Sequence, residues 1–74
     1  MNKYIIPVCL VREDVNWPVV IMARSISDCQ DKLITIISEK CGIEEEFDNY
    51  REFKRTVDSE YDIIIGDIKD YETL

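Results

Sequence analysis

Residues 25–42 carry a helix whose two ends are both marked. Ser25 and Asp28 have the spacing of a capping box, with Asp in place of the usual Glu, and Gly42 suits a left-handed C-terminal cap. Between them Ile26, Cys29, Leu33, Ile36, Ile37 and Cys41 recur at helical spacing and form one apolar stripe. A helix over 26–41 with a single apolar stripe must lie on an apolar layer. The rest of the chain offers that layer as strands.

Residues 4–11 and 17–24 are rich in β-branched and apolar side chains, and the polar stretch Glu13-Asp14-Val15-Asn16 lies between them. They read as an antiparallel hairpin. A third strand is expected over 62–68, around Ile63-Ile64-Ile65. Tyr50, Phe53 and Val57 fall at i, i+3 and i+7 behind a second candidate capping box, Asn49 with Glu52, which predicts a short helix over 50–58. The expected fold is α+β, a small three-stranded, mostly antiparallel sheet with two helices in the order β-β-α-α-β. Residues 1–74 are expected to form a single compact domain with a polar C-terminal tail from about 69. The expected core contains Ile21, Leu33, Ile36, Ile37 and Ile63. Pro7 has no amide to donate and favours an edge or a bulge, so the third strand is expected beside the second.

Alternation divides each strand between two faces. Ile6, Val8 and Leu10 oppose Ile5, Cys9 and Val11; Val19, Ile21 and Ala23 oppose Val20 and Met22; Ile63 and Ile65 oppose Ile64. Both faces are apolar, whereas a sheet with one wet face alternates apolar and polar. Either the helices split between the faces, or the set Ile5, Cys9, Val11, Val20, Met22 and Ile64 is an interface, most simply of a homodimer.

Charge is segregated along the chain. Residues 1–37 hold four acids and four bases, while residues 38–74 hold twelve acids and five bases and so carry the whole net charge of −7. Such a balance disfavours direct binding to nucleic acid or to an anionic membrane, which needs clustered Lys and Arg. The opening residues do not read as a secretory signal, and no stretch reaches the roughly 20 apolar residues that span a bilayer. Three cysteines within apolar patterns read as reduced thiols, which fits a cytoplasmic setting.

Catalytic and cofactor chemistry has little to work with. The chain has no histidine and no C-x-x-C pair, and its two glycines form no phosphate-cradling loop. Asp58, Glu60, Asp62 and Asp67 could hold a divalent cation if that segment were extended, but helix capping and solvation of a strand end explain them better. Asp67-Ile68-Lys69 has the D-x-K form of metal-dependent nucleases without the basic surface such enzymes need. No catalytic residue, metal site or cofactor is assigned. Trp17-Pro18 reads either as an exposed hot spot or as a lid over the end of the core. Arg51, Lys54 and Arg55 are expected to pair with acids such as Glu52 and Asp58.

The stretch Val19-Val20-Ile21-Met22-Ala23-Arg24-Ser25-Ile26-Ser27-Asp28, a strand followed by A-x-S and an amphipathic helix, resembles small accessory proteins of phages and mobile elements. The resemblance covers residues 3–42. It implies a compact, often acidic accessory protein, in some cases an inhibitor of a host or defence complex, in the host cytoplasm if phage-encoded. The resemblance carries over no functional residue; it is the segregated acidic charge that suggests a non-enzymatic protein-binding module, its acids imitating a phosphate backbone against a partner with a basic, nucleic-acid-binding surface. Glu44, Glu45, Glu46 and Asp48 would make the contact first, and Asp67 and Asp70 second. The alternative is a homo-oligomeric structural or regulatory subunit joined through the apolar sheet face.

Overall fold

Asp14 lets the first two strands meet. It adopts a left-handed conformation (φ 53°) at the end of a 3-10 turn, Val11–Glu13, and reverses the chain between β1 (Asn2–Leu10) and β2 (Val15–Ala23). The two strands pair antiparallel along their whole length, from Asn2 opposite Ala23 to Leu10 opposite Val15. The computed structural model describes residues 1–70. Beyond the hairpin come α1 (Ile26–Cys41), α2 (Tyr50–Glu60), β3 (Ile63–Ile65) and a short β4 (Lys69–Asp70). The order is β-β-α-α-β, with β4 continuing the last strand, and the fold is α+β.

The capping signals of the sequence are realised in both helices. Ser25 Oγ accepts the Asp28 N–H at 3.1 Å, and Asp28 Oδ2 accepts the Arg24 N–H at 3.0 Å, so the acid reaches one residue further back than in the usual box. That backbone hydrogen bond holds the Asp28 carboxyl below its ordinary pKa, with Lys32 adding to the effect. Asn49 Oδ1 accepts the Glu52 N–H at 2.8 Å and caps α2. Gly42 (φ 68°) ends α1, and the Ile43 N–H turns back to the Ser38 carbonyl at 2.9 Å. This closure drives the Ile43 side chain into the core.

The third strand pairs with β1, not with β2 as the proline argument led one to expect. The sheet order is β2-β1-β3, and β4 lies beside β1 further along the same edge. In an antiparallel ladder the N–H and C=O of one residue point to the same side. Pro7 lies opposite Pro18, and the Pro7 carbonyl accepts the Gly66 N–H at 2.8 Å on the other side. The missing donor of Pro7 therefore points at residues 66–68, and that of Pro18 points to solvent.

Those three residues form a bulge. Ile65 is opposite Val8 and Lys69 is opposite Ile5, so residues 66–68 face only Ile6 and Pro7. The ladder is already broken where Pro7 would have had to donate. The strand expected over 62–68 is thereby shortened to β3, and pairing resumes only beyond it, in β4. Lys69 and Asp70, where the polar tail is expected to begin, pair with Ile5 and Tyr4. Residues 71–74 lie outside the described residues.

Helix α1 packs on β2 and α2 on β3, and both bury their stripes in one cluster. Cys29, Leu33, Ile37, Phe53 and Val57 are fully enclosed against Tyr4, Ile6, Val8, Ile21 and Ile63. Of the expected core, Ile36 sits on the rim, half-buried; Ile26, the first helical residue, is exposed. The helices run in the same direction. Gln30 of α1 and Tyr50 of α2 line one cleft, whereas Lys40 stands over Trp17 and the Glu60 carbonyl takes the Arg12 guanidinium at the far end. The connector over residues 42–49 therefore runs back along the helical layer.

Replacing Leu33 with Ala should cost about 2–5 kcal/mol, a large share of the stability of so small a core, and a thermal melt would register it. Gly66→Ala should also destabilise, by about 1–3 kcal/mol, since its Cβ would stand 2.6 Å from Pro7 Cγ. Adding Pro7→Ala to that variant should recover part of the loss. A double-mutant cycle with no coupling would exclude the contact as the cause.

Candidate functional site

With both helices on one side, the other side of the sheet has no cover among the described residues. The register places Lys3, Ile5, Pro7 and Cys9 of β1 opposite Met22, Val20, Pro18 and Asn16 of β2 on this face, with Ile64 of β3 beside Cys9. Val20 is 54% exposed, Met22 46% and Ile64 50%. Pro7, Cys9, Pro18, Ile64 and Gly66 line a shallow groove of about 390 Å³ in its middle. Among the described residues, charged side chains join the face at Lys3, opposite Met22 near the start of β1, and at Lys69, beside Ile5 near its middle.

Of the six residues expected at an apolar interface, five lie on this face: Ile5, Cys9, Val20, Met22 and Ile64. Val11 does not. It opens the 3-10 turn and gives its N–H to the Asp62 carbonyl at 2.9 Å, so it is exposed past the end of the face. Sequence reasoning missed Pro7, Pro18 and Lys69. Strict alternation from Ile5 and Cys9 would have found Pro7; Lys69 was hidden because the bulge changes the alternation behind Ile65.

The acids expected to meet a partner are divided between two places. Glu44, Glu45, Glu46 and Asp48 are all exposed on the connector between the helices. That connector is anchored at both ends of the acidic run. Ile43 is buried before it, and the Phe47 ring meets Phe53 edge to face at 5.1 Å. The acids are thus held on the helical layer, on the opposite side of the molecule from the open sheet face. Asp67 is exposed in the bulge and lines a small cleft with Tyr50 and Lys54, and Asp70 is in β4 opposite Tyr4. The Tyr50 hydroxyl is enclosed there without a hydrogen-bond partner among the described residues, and burial pushes its pKa up.

The remaining sequence candidates are taken up by structure. Asp58 and Glu60 lie in α2 and Asp62 in a left-handed turn (φ 53°), so the three do not line one extended segment. Among the described residues no three His, Cys, Asp or Glu side chains converge to hold an ion. Asp62 instead binds Arg12 Nε at 2.8 Å, and Arg12 Nη2 donates to the Glu60 carbonyl at 3.1 Å, which ties the hairpin tip to the end of α2. Trp17 is half-buried over the end of the core with Lys40 Nζ 5.3 Å from its ring centre. Arg51, Lys54 and Arg55 form no ion pair with Glu52 or Asp58. No helix among the described residues is long and apolar enough to cross a membrane.

No known protein family, characterised protein or solved structure matches the chain. The cysteines report directly on the geometry. Cys29 is fully buried and its thiol pKa is pushed up by burial, whereas Cys9 is partly exposed in the groove. In dilute native protein N-ethylmaleimide should modify Cys9 first and Cys29 only on unfolding, as peptide mass mapping would reveal.

Proposed function

We propose that this chain is a non-enzymatic protein-interaction module that works through the open face of its sheet. One observation supports the reading. A 74-residue chain places both helices on one side and leaves Ile5, Pro7, Cys9, Pro18, Val20, Met22 and Ile64 uncovered in one apolar surface. A soluble monomer with a wet sheet face would carry polar residues at these positions. The occupant is an apolar protein surface, because Ile5, Pro7, Cys9, Pro18, Val20 and Ile64 offer no charged side chain to a polar ligand.

A second reading concerns the acidic connector. Glu44, Glu45, Glu46 and Asp48 project from a segment anchored by Ile43 and Phe47, so the four carboxylates keep a defined arrangement. A basic, nucleic-acid-binding surface of a partner complex is the complement, and occupying it would inhibit that partner. The two surfaces face opposite ways and both can be used at once.

The test is capture from an extract of the native host by three forms of the tagged chain: unmodified, Val20→Lys with Ile64→Lys, and Glu44→Gln, Glu45→Gln, Glu46→Gln with Asp48→Asn. All changes are at exposed positions and should shift stability by no more than about 0.5 kcal/mol each. The face variant should lose partners that survive high salt. The connector variant should lose those that high salt releases. Partners retained by both variants at every salt concentration would exclude both surfaces.

A further inference from the structure

We propose that the cleft between the N-terminal ends of α1 and α2 binds the phosphate group of a small organic phosphate monoester. The site is separate from the open sheet face and from the acidic connector. The cleft measures about 660 Å³ and is lined by Gln30 of α1 and by Asn49, Tyr50, Arg51 and Lys54 at the start of α2. Arg51 and Lys54 bring positive charge to its walls, and no acid lines it. The chain has sixteen acids and nine bases, yet neither Arg51 nor Lys54 is in an ion pair among the described residues. Asp48 and Glu52, the acids nearest to Arg51 in sequence, do not reach the walls. The local charge is thus the reverse of the charge of the whole chain.

The other polar groups of the cleft can all donate. The Asn49 cap spends its Oδ1 on the Glu52 N–H, which leaves Nδ2 to donate elsewhere. The Gln30 amide makes no hydrogen bond to a described residue. The Tyr50 hydroxyl is enclosed without a partner among the described residues, and burial, by pushing its pKa up, keeps its proton in place. Tyr50 and Arg51 open α2, so their N–H groups lie outside the intrahelical ladder. The two helices run in the same direction, which brings the positive ends of both dipoles to this end of the layer. A phosphate monoester offers three acceptor oxygens and a charge of roughly −1.5 to −2, and so takes more of these donors than a carboxylate.

The organic part of the ligand lies over an adjoining lobe. Gln30, Tyr50 and Lys54 also line a smaller cleft of about 260 Å³, whose other walls are Ile26, Gly66, Asp67 and Ile68. Ile26, 53% exposed, and Ile68 give that lobe apolar walls. Asp67 sets the orientation, because its carboxylate repels a phosphate and leaves that group to the Arg51 side. The net charge of −7 opposes an anion at long range. Exposed charges beyond a Debye length of about 8 Å are screened at physiological salt, so the two bases on the walls dominate inside the cleft.

Amide NMR of the isotope-labelled full chain, titrated with inorganic phosphate and with phenyl phosphate at an ionic strength held constant with sodium chloride, tests the proposal. Both probes should give saturable shifts at the Tyr50 and Arg51 N–H groups and at the Gln30 side-chain amide. Phenyl phosphate should bind at least about fivefold tighter and should also shift Gly66 and Ile68. Arg51→Gln and Lys54→Gln should each weaken phosphate binding at least about fivefold at an unchanged melting temperature. Arg55→Gln removes the same charge from the same helix at a residue that does not line the cleft, and should leave the affinity within about twofold. Shifts that never saturate, that sodium chloride alone reproduces, or that Arg55→Gln reduces as much as Lys54→Gln, would overturn the site. Equal affinity for the two probes would uphold the phosphate site and overturn the adjoining lobe.

Discussion

The hydrogen bond from the Gly66 N–H to the Pro7 carbonyl, 2.8 Å long, organises the far edge of the sheet. It joins a residue that cannot donate to one that has no side chain. Pro7 sits in the middle of the central strand, where a missing donor would ordinarily leave a neighbouring carbonyl unpaired. The bulge over residues 66–68 places no ladder carbonyl there. Gly66 is required for a steric reason, since any Cβ would run into the Pro7 ring. The same bulge changes which side chains face which way. With one residue inserted, Ile68 packs against the core and Lys69 joins Ile5 on the open face. In unbroken register the two would exchange faces, putting a lysine towards the core.

This local exchange also explains what was legible in the sequence. Helix α1 was legible to the residue, because Ser25, Asp28 and Gly42 mark backbone groups that only those side chains or that φ can satisfy. The hairpin and α2 were legible within two residues, from β-branched runs and from the Tyr50, Phe53, Val57 spacing. Strand order was not. Pro7 requires an edge or a bulge, and the fold takes the bulge. Pairing across long separations leaves no periodic signal, and the bulge that resolves the conflict lies about sixty residues further on. The candidate face was legible through alternation, except at Pro7, Pro18 and Lys69, which it omits, and at Val11, which belongs to the 3-10 turn.

Protection of the sheet is uneven, and the unevenness is informative. At the β2 edge Pro18 removes a donor and Lys32 reaches from α1 to hold the Met22 carbonyl. Both devices discourage another strand from pairing there. The broad face has no comparable device. Val20 and Met22 carry no charge, and their neighbours across the sheet are Ile5 and Lys3, so the face is largely apolar, with Lys3 and Lys69 as its cations among the described residues. Hydrophobic surface is buried in proportion to area, so leaving this face in water is costly for a chain whose core has few layers to spare.

The two sides of the slab therefore have different physical characters, and the topology produces both. Parallel helices on one side require a connector that runs back along them, and a connector in water is the place where acids cost least. Ile43 and Phe47 hold it down, so its carboxylates stay on the side away from the sheet. An occupant of the apolar face would leave the carboxylates exposed on the far side, so the use of one surface would not consume the other.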